Sequence, residues 1–323
     1  MLLGNGAITP ECGLYALGAA ATSTAIALLV ARSKPLDRNT AFTAAALGVA
    51  VFAAQMFNVQ VMPFSSAHLI GGVLLAWALG PPLGLLMMTA ILVLEAVILG
   101  DGGVLSLGVN VINMGVVPAV FVALARRFAR GGSAWRGSIV LAAVSLAATV
   151  AAAGLVVVEV TIGRSGAQLG GLSQFAGQML SSHAVFGVLE AVITVAVVAL
   201  LGGLKRPEVA SLRLSPVRSA SIVSLAIAIA VLSAPQFGLA SSAPDGYEAA
   251  VARAHDTGSP LGKLESAAAT GELNARIQVW QDALVAEFPA SEAARGIMGA
   301  VAAGAIAFGL AVGCTRRRNR VIS

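Results

Sequence analysis

Nine stretches of this 323-residue chain are apolar runs of the kind that cross a lipid bilayer, and this pattern constrains everything else it can be. A spanning helix needs about 20 predominantly apolar residues. Candidate spans fall at 13–31, 41–58, 66–80, 83–100, 105–125, 138–162, 174–203, 217–235 and 296–314. The third is short and stops at Pro81-Pro82, which a helix does not continue through cleanly. It reads as a partial or re-entrant segment, tolerated where protein buries it. The expected fold is all-α: a polytopic transmembrane bundle of about nine spans with a helical insert outside the membrane.

Composition agrees. The chain is 58% hydrophobic and only 11% charged, against about 25% charged in soluble domains. Its 36 glycines and abundant alanine let helices approach closely. The net charge of +5 does not point to nucleic acid, because the basic residues cluster in short loops between apolar runs. With the N-terminus outside and every run crossing, the inner side holds Arg32, Lys34, Arg38, Arg126, Arg127, Arg130, Arg136, Lys205, Arg206, Arg213, Arg218, Arg316, Arg317, Arg318 and Arg320. That is fifteen of the 20 basic residues; Arg164, Arg253, Lys263, Arg276 and Arg295 remain outside. The positive-inside rule therefore predicts a multi-pass protein of the cell inner or plasma membrane, N-terminus outside and C-terminus cytoplasmic. The lipid bilayer is its first partner.

The outer segment 236–295 differs in kind. It is rich in Asp and Glu, and 262–287 reads as one or two amphipathic helices anchored by Leu264, Leu273, Ile277, Trp280 and Leu284. Residues 205–216 form a cytoplasmic linker rich in Lys, Arg and Pro. The expected units are 1–204, the linker 205–216, and 217–323 with two spans enclosing the insert. Cys12 and Cys314 lie near opposite ends of the chain and indicate no disulfide framework or zinc-finger site. No secretory signal pattern precedes the first span, and no convincing internal repeat is present.

The densest polar run near membrane depth extends from Asn58 to Asn113. His68, beside Ser65 and Ser66, falls at the end of a span. Imidazole is the commonest protein ligand for transition metals, and polar groups at membrane depth are costly and tend to be functional. The competing reading is a capping or hydrogen-bonded structural histidine. Asp101 among Gly100, Gly102 and Gly103 reads as a tight turn, with direct ligation as the second reading. Asn110 and Asn113 share a helix face, either bonding neighbouring helices or orienting His68. His183 and Glu190 lie two turns apart on one face, about 10 Å along the axis; they form a relay or, better, bond separate helices. Glu95 and Glu159 are further acids inside apolar runs and each needs a partner or a wet surface. No phosphate-binding loop, nucleophile elbow or HExxH motif occurs, so no enzymatic constellation is indicated and any ATP-derived energy must come from a partner chain.

Ser66-Ala67-His68-Leu69-Ile70-Gly71-Gly72, Leu79-Gly80-Pro81, Gly100-Asp101-Gly102-Gly103 and the run Leu107 to Gly115 closely resemble, in order and spacing, the motifs of the CbiM/NikM family. These are the substrate-binding membrane components of energy-coupling factor transporters for cobalt and nickel, ABC-type importers. The segment around His183, Glu190 and Thr194 resembles a further family motif. Ser242 to Glu248, with Tyr247 where leucine is usual, resembles the CbiN/PDGLE accessory partner, so the chain looks like a fusion of both. The resemblance implies that the N-terminal amine of Met1, the backbone nitrogen of Leu2 and His68 bind Co(II) or Ni(II) as transported substrate, with no intrinsic cofactor. It further implies that ABC ATPase subunits and a transmembrane coupling protein drive transport. Asn58, Ser66, Asp101, Asn110, Asn113, His183 and Glu190 would support the site. The family's second-position histidine is Leu2 here and its acidic fifth residue is Asn5, so one imidazole corner of a square-planar site is missing. Two other readings follow: the same transporter class with an altered substrate, and a membrane scaffold or sensor that does not transport.

Overall fold

A computed structural model describes residues 2–33, 36–63, 65–129, 133–163, 171–202, 213–233, 238–256, 272–289 and 291–315. The chain is a helical bundle. After a non-helical N-terminal segment come α1 (Pro10–Arg32) and α2 (Arg38–Gln55), then a small antiparallel hairpin, β1 (Val59–Met62) and β2 (Ser65–Ala67). A short helix, α3 (Gly72–Leu79), precedes α4 (Pro81–Leu94), which continues as a π turn over Glu95–Leu99. Next are α5 (Leu107–Val111), a second π turn (Ile112–Val116), α6 (Val117–Ala129), α7 (Ala134–Ile162) and α8 (Leu172–Leu200). The C-terminal part comprises α9 (Pro216–Leu232), α10 (Gly246–Asp256), α11 (Glu272–Ala286) and α12 (Glu292–Thr315).

Among the described residues, six helical segments are long and apolar enough to cross a membrane by themselves: α1, α4 with its π turn, the α5–α6 unit, α7, α8 and α12. Exposed apolar side chains such as Leu14, Leu29, Ile139, Val158, Val188 and Val192 face outward from them, as lipid contact requires. Residues 66–80 form the partial segment that their short length and Pro81-Pro82 suggest. Its first part is strand and loop, so only eight helical residues remain; these rise about 12 Å, well short of the roughly 30 Å hydrocarbon core. Every residue of α3 is buried, and it packs against α2, α4, α6, α7 and α8. Interrupted backbone at membrane depth is stable because neighbouring helices enclose it.

Local chemistry sets the boundaries. Gly80, at φ +90, separates α3 from α4, and Pro81 occupies the first helical position, where its missing N–H costs nothing. Asp37 caps α2, its Oδ1 accepting from the Thr40 amide and hydroxyl, both at 2.7 Å, while Oδ2 meets Arg213 Nε at 2.9 Å. Partial burial acts to raise the Asp37 carboxyl. The Thr40 bonds and the Arg213 charge outweigh it and leave the group below its usual range.

α9 and α12 pack on α2, and α7 on α8. The α12 face toward α2 is small: Ala300, Ala303, Ala307 and Ala311 are fully buried. A Cβ on Gly304 would lie 2.7 Å from Val49 Cγ2, and one on Gly299 would strike the Phe52 ring. Such stripes let helices associate through close van der Waals contact where lipid supplies no hydrophobic drive.

Candidate functional site

The N-terminal segment enters one end of the bundle as a plug. Asn110 grips Leu3 on both backbone groups: the Leu3 N–H donates to Oδ1 at 2.9 Å and Nδ2 donates to the Leu3 carbonyl at 3.1 Å. The Gly103 N–H donates to the same carbonyl at 2.8 Å, and the Ser106 hydroxyl donates to the Gly4 carbonyl at 2.8 Å. Leu3 and Ile8 are fully buried. A Cβ at Gly103 would strike the Asn5 amide nitrogen, so this glycine is set by the close pass of plug and turn. Asn5 extends the clamp. Its Oδ1 accepts from the Leu105 N–H at 3.1 Å, and its Nδ2 donates to Gln281 Oε1 at 2.6 Å and to Gln278 Oε1 at 2.9 Å, both on α11. Gln281, 1% exposed, returns its own amide to the Ala96 and Gly102 carbonyls at 3.0 and 2.8 Å.

His68 lies on the loop between β2 and α3, and both ends of α3 hold that loop in place. Glu190, from α8, accepts the Ile70 N–H at 2.9 Å on Oε2 and the Gly71 N–H at 2.9 Å on Oε1. A carboxylate is well placed there, because the N-terminus of a helix presents unpaired amides and partial positive charge. Gly71 sits at φ +77 with Val51 where a side chain would be, a conformation that favours glycine. At the other end Arg126 donates to the Trp77 carbonyl and lies over the Trp77 ring. A carboxylate at one end and a guanidinium at the other complement the dipole of this half-helix.

A cavity of about 10 Å³ opens beside the loop, lined by Ser66, Ala67, His68, Ile70, His183, Phe186, Glu190, Asp245 and Gly246. That is about the room one water-sized species needs. His68 Nε2 is buried with no hydrogen-bond partner among the described residues. His183 Nδ1 lies 2.8 Å from the Met179 carbonyl. The segment before α10 closes the cavity. The Ser66 N–H donates to the Pro244 carbonyl at 2.8 Å and its hydroxyl to the Ala243 carbonyl at 2.6 Å. Asp245 Oδ1 caps α10 by accepting the Tyr247 and Glu248 N–H groups at 2.8 and 2.9 Å, and Glu248 Oε2 accepts the Asp245 N–H at 3.0 Å. This reciprocal capping box fixes where Gly246 meets the body. Tyr247 packs edge-on against Phe175 at 6.1 Å between centroids. Among the described residues no three His, Cys, Asp or Glu side chains form a metal-holding cluster, so a bound ion would need backbone nitrogens as well.

The structure divides the sequence-predicted residues into groups. Ser66, His68, His183 and Glu190 line one cavity. Leu2 is buried nearby, its side chain next to Gly102; Met1 lies outside the described residues. Asn110 holds the plug and does not orient His68. Asn113 Nδ2 donates to Glu159 Oε2 at 2.7 Å, the interhelical role, and so gives Glu159 its partner. Asn58 and Asp101 line a separate polar cavity with Gln55, Glu292 and Arg295, and the Asn58 carbonyl accepts from the Ser241 N–H at 2.8 Å. Glu190 bonds the start of α3, as a role between elements requires, whereas His183 bonds the Met179 carbonyl one turn back on its own helix and not a separate one. A helix, α11, occupies the later part of 262–287, but two of its expected apolar anchors, Leu273 and Trp280, are exposed, and the residues it buries include the polar Asn274 and Gln281; Leu264 lies outside the described residues. The motif Ser242 to Glu248 contains Asp245 and Gly246 but does not by itself assign them to the His68 cavity, where the structure puts them; Gln281 is the further residue of the plug clamp. The Pro-Asp-Gly motif was the available signal for the first two; Gln281 offered none.

Residues 3–208 match the family described as "Cobalt uptake substrate-specific transmembrane region". A protein of Haloquadratum walsbyi named as a metal transport protein is 34% identical over 189 residues, covering 57% of this chain and 82% of that one. A protein of Archaeoglobus fulgidus named as a fused nickel transport protein is 33% identical over 194 residues, covering 58% of this chain and 62% of that one. A crystal structure described as a truncated transition metal transporter superposes with a TM-score of 0.53 at 26% identity, covering 64% of this chain and all of the other.

Proposed function

Since the chain belongs to the cobalt-uptake CbiM family, and is thus a transmembrane component of cobalt or nickel transport, we propose that it is the substrate-capture subunit of an energy-coupling factor importer. The single observation that carries this reading is the buried Nε2 of His68, without a hydrogen-bond partner among the described residues, on a residue that lines an ion-sized cavity. In this reading the Met1 amine, the Leu2 backbone nitrogen and His68 take Co(II) or Ni(II) from the extracytoplasmic side. ABC ATPase subunits and a transmembrane coupling protein supply the drive. Residues 1–204 are the capture unit and 217–323 the fused accessory unit, whose insert covers the site.

Metal titration of purified protein with an authentic N-terminus tests this. Ni(II) or Co(II) should bind, His68→Ala should weaken binding, and an N-terminal extension should block it by occupying the amine. No binding of either ion by the native chain would overturn the proposal. A second reading, an altered substrate within the same class, is favoured by one observation: Leu2 places hydrocarbon against Gly102 where the resemblance implies an imidazole. A site with fewer nitrogen donors loses its preference for square-planar Ni(II), and competition between Ni(II), Co(II) and Zn(II) for the native chain separates the two.

A further inference from the structure

We propose that His183 is a second imidazole ligand of the captured metal, facing His68 across the cavity and standing in for the imidazole that Leu2 lacks. The inference rests on the capture reading above and extends it to a residue on α8.

Three observations carry it. Both rings line the same cavity, whose volume suits one ion-sized species. His183 Nδ1 is 2.8 Å from the Met179 carbonyl. A carbonyl only accepts, so Nδ1 carries the ring proton and the neutral imidazole keeps its lone pair on Nε2. Nε2 has no hydrogen-bond partner among the described residues. His68 likewise leaves its Nε2 buried and without a partner among the described residues. A carbonyl on one ring nitrogen and a bare lone pair on the other is how metal-ligating histidines are oriented.

The His183 ring is also fixed from outside. Phe186 packs edge-on at 5.3 Å between centroids, and a Cβ on Gly246 would lie 2.6 Å from His183 Cε1. The other polar groups of the cavity have structural duties. Glu190 holds the Ile70 and Gly71 amides, and Asp245 caps α10. Their carboxylates add negative charge to the wall that a divalent cation meets.

Pulsed EPR of Cu(II) bound to the full chain with its native N-terminus counts coordinated imidazoles. The expected counts are two for the wild type and one each for His68→Ala and His183→Ala. His183→Asn retains a donor for the Met179 carbonyl and loses Nε2; it should fold like the wild type, read one imidazole, and bind Ni(II) about tenfold or more weaker. Leu2→His added to His183→Asn should restore a count of two. A wild-type count of one, or a count unchanged by His183→Asn, overturns the proposal and leaves the capture reading standing. A wild-type chain that binds no Cu(II), Ni(II) or Co(II) overturns both.

Discussion

Glu190 shows how one side chain can look like a site residue and act through the backbone. Its two oxygens satisfy two amides at the start of α3, two and three residues after His68. Glu190→Ala strands both amides in a buried setting, at about 1–3 kcal/mol each. The expected result is a clear drop in the thermal midpoint in detergent together with loss of Ni(II) binding, because the His68 loop loses its anchor. Asn110→Ala should act differently. It strands one buried amide instead of two, because the Leu3 carbonyl keeps the Gly103 N–H, so the midpoint should fall by clearly less than in Glu190→Ala, while metal affinity falls about 10–100-fold, as for other orienting groups around a metal. Equilibrium dialysis beside a melting curve separates the two, and equal loss of stability in both variants would contradict the assignment. The sequence exposed His68, His183 and Glu190 as candidates because charge or imidazole inside an apolar run is costly. It did not expose what Glu190 binds, since its partners are backbone amides 119 and 120 residues away, and an amide has no sequence signature. The same holds for Asn110, whose partner is the Leu3 backbone.

At the scale of elements, apolar length located most helices and marked 66–80 as partial, because burial inside protein lets loop and half-helix sit at depth without a lipid-length hydrophobic run. Two element-level predictions follow from contacts now visible. On the α2–α12 seam, Gly299→Ala adds a Cβ against the Phe52 ring, and overpacking of this kind costs about 1–3 kcal/mol. Phe52→Leu in the same chain should recover part of the loss, whereas additive destabilisation would mean the two residues do not share the seam. At the start of α2, Asp37→Asn keeps a capping oxygen and removes the charge. The folded-state Asp37 carboxyl lies below its usual value, so its stabilisation is present above the ordinary carboxylate pKa and disappears as pH falls through the folded value. The wild-type advantage in thermal midpoint should therefore be largest near neutrality and vanish once the pH falls below the depressed folded value. An advantage that persists in acid would assign the effect to the cap alone.

For the whole molecule, the asymmetry of basic residues and the placement of the plug make one joint demand. The N-terminal segment, the His68 loop and α11 meet at one end of the bundle: Asn5 bonds Gln278 and Gln281, and Ser66 bonds the segment before α10. Arg126, Arg127 and Arg136 lie around the α6–α7 turn, on the side that the positive-inside rule assigns to the cytoplasm. We expect Asp282 and Arg136, both exposed, to report opposite compartments. In a chain with Cys12 and Cys314 replaced by Ser, a membrane-impermeant maleimide should label Asp282→Cys in intact cells and leave Arg136→Cys unlabelled until the membrane is opened. Labelling in the reverse order would place the plug in the cytoplasm, where an uptake protein has no external ion to capture, and would remove the capture reading together with the predicted orientation. Labelling as expected puts the imidazole-lined cavity within reach of the extracytoplasmic solution. The insert, held to the plug through Asn5, then stands between that solution and His68.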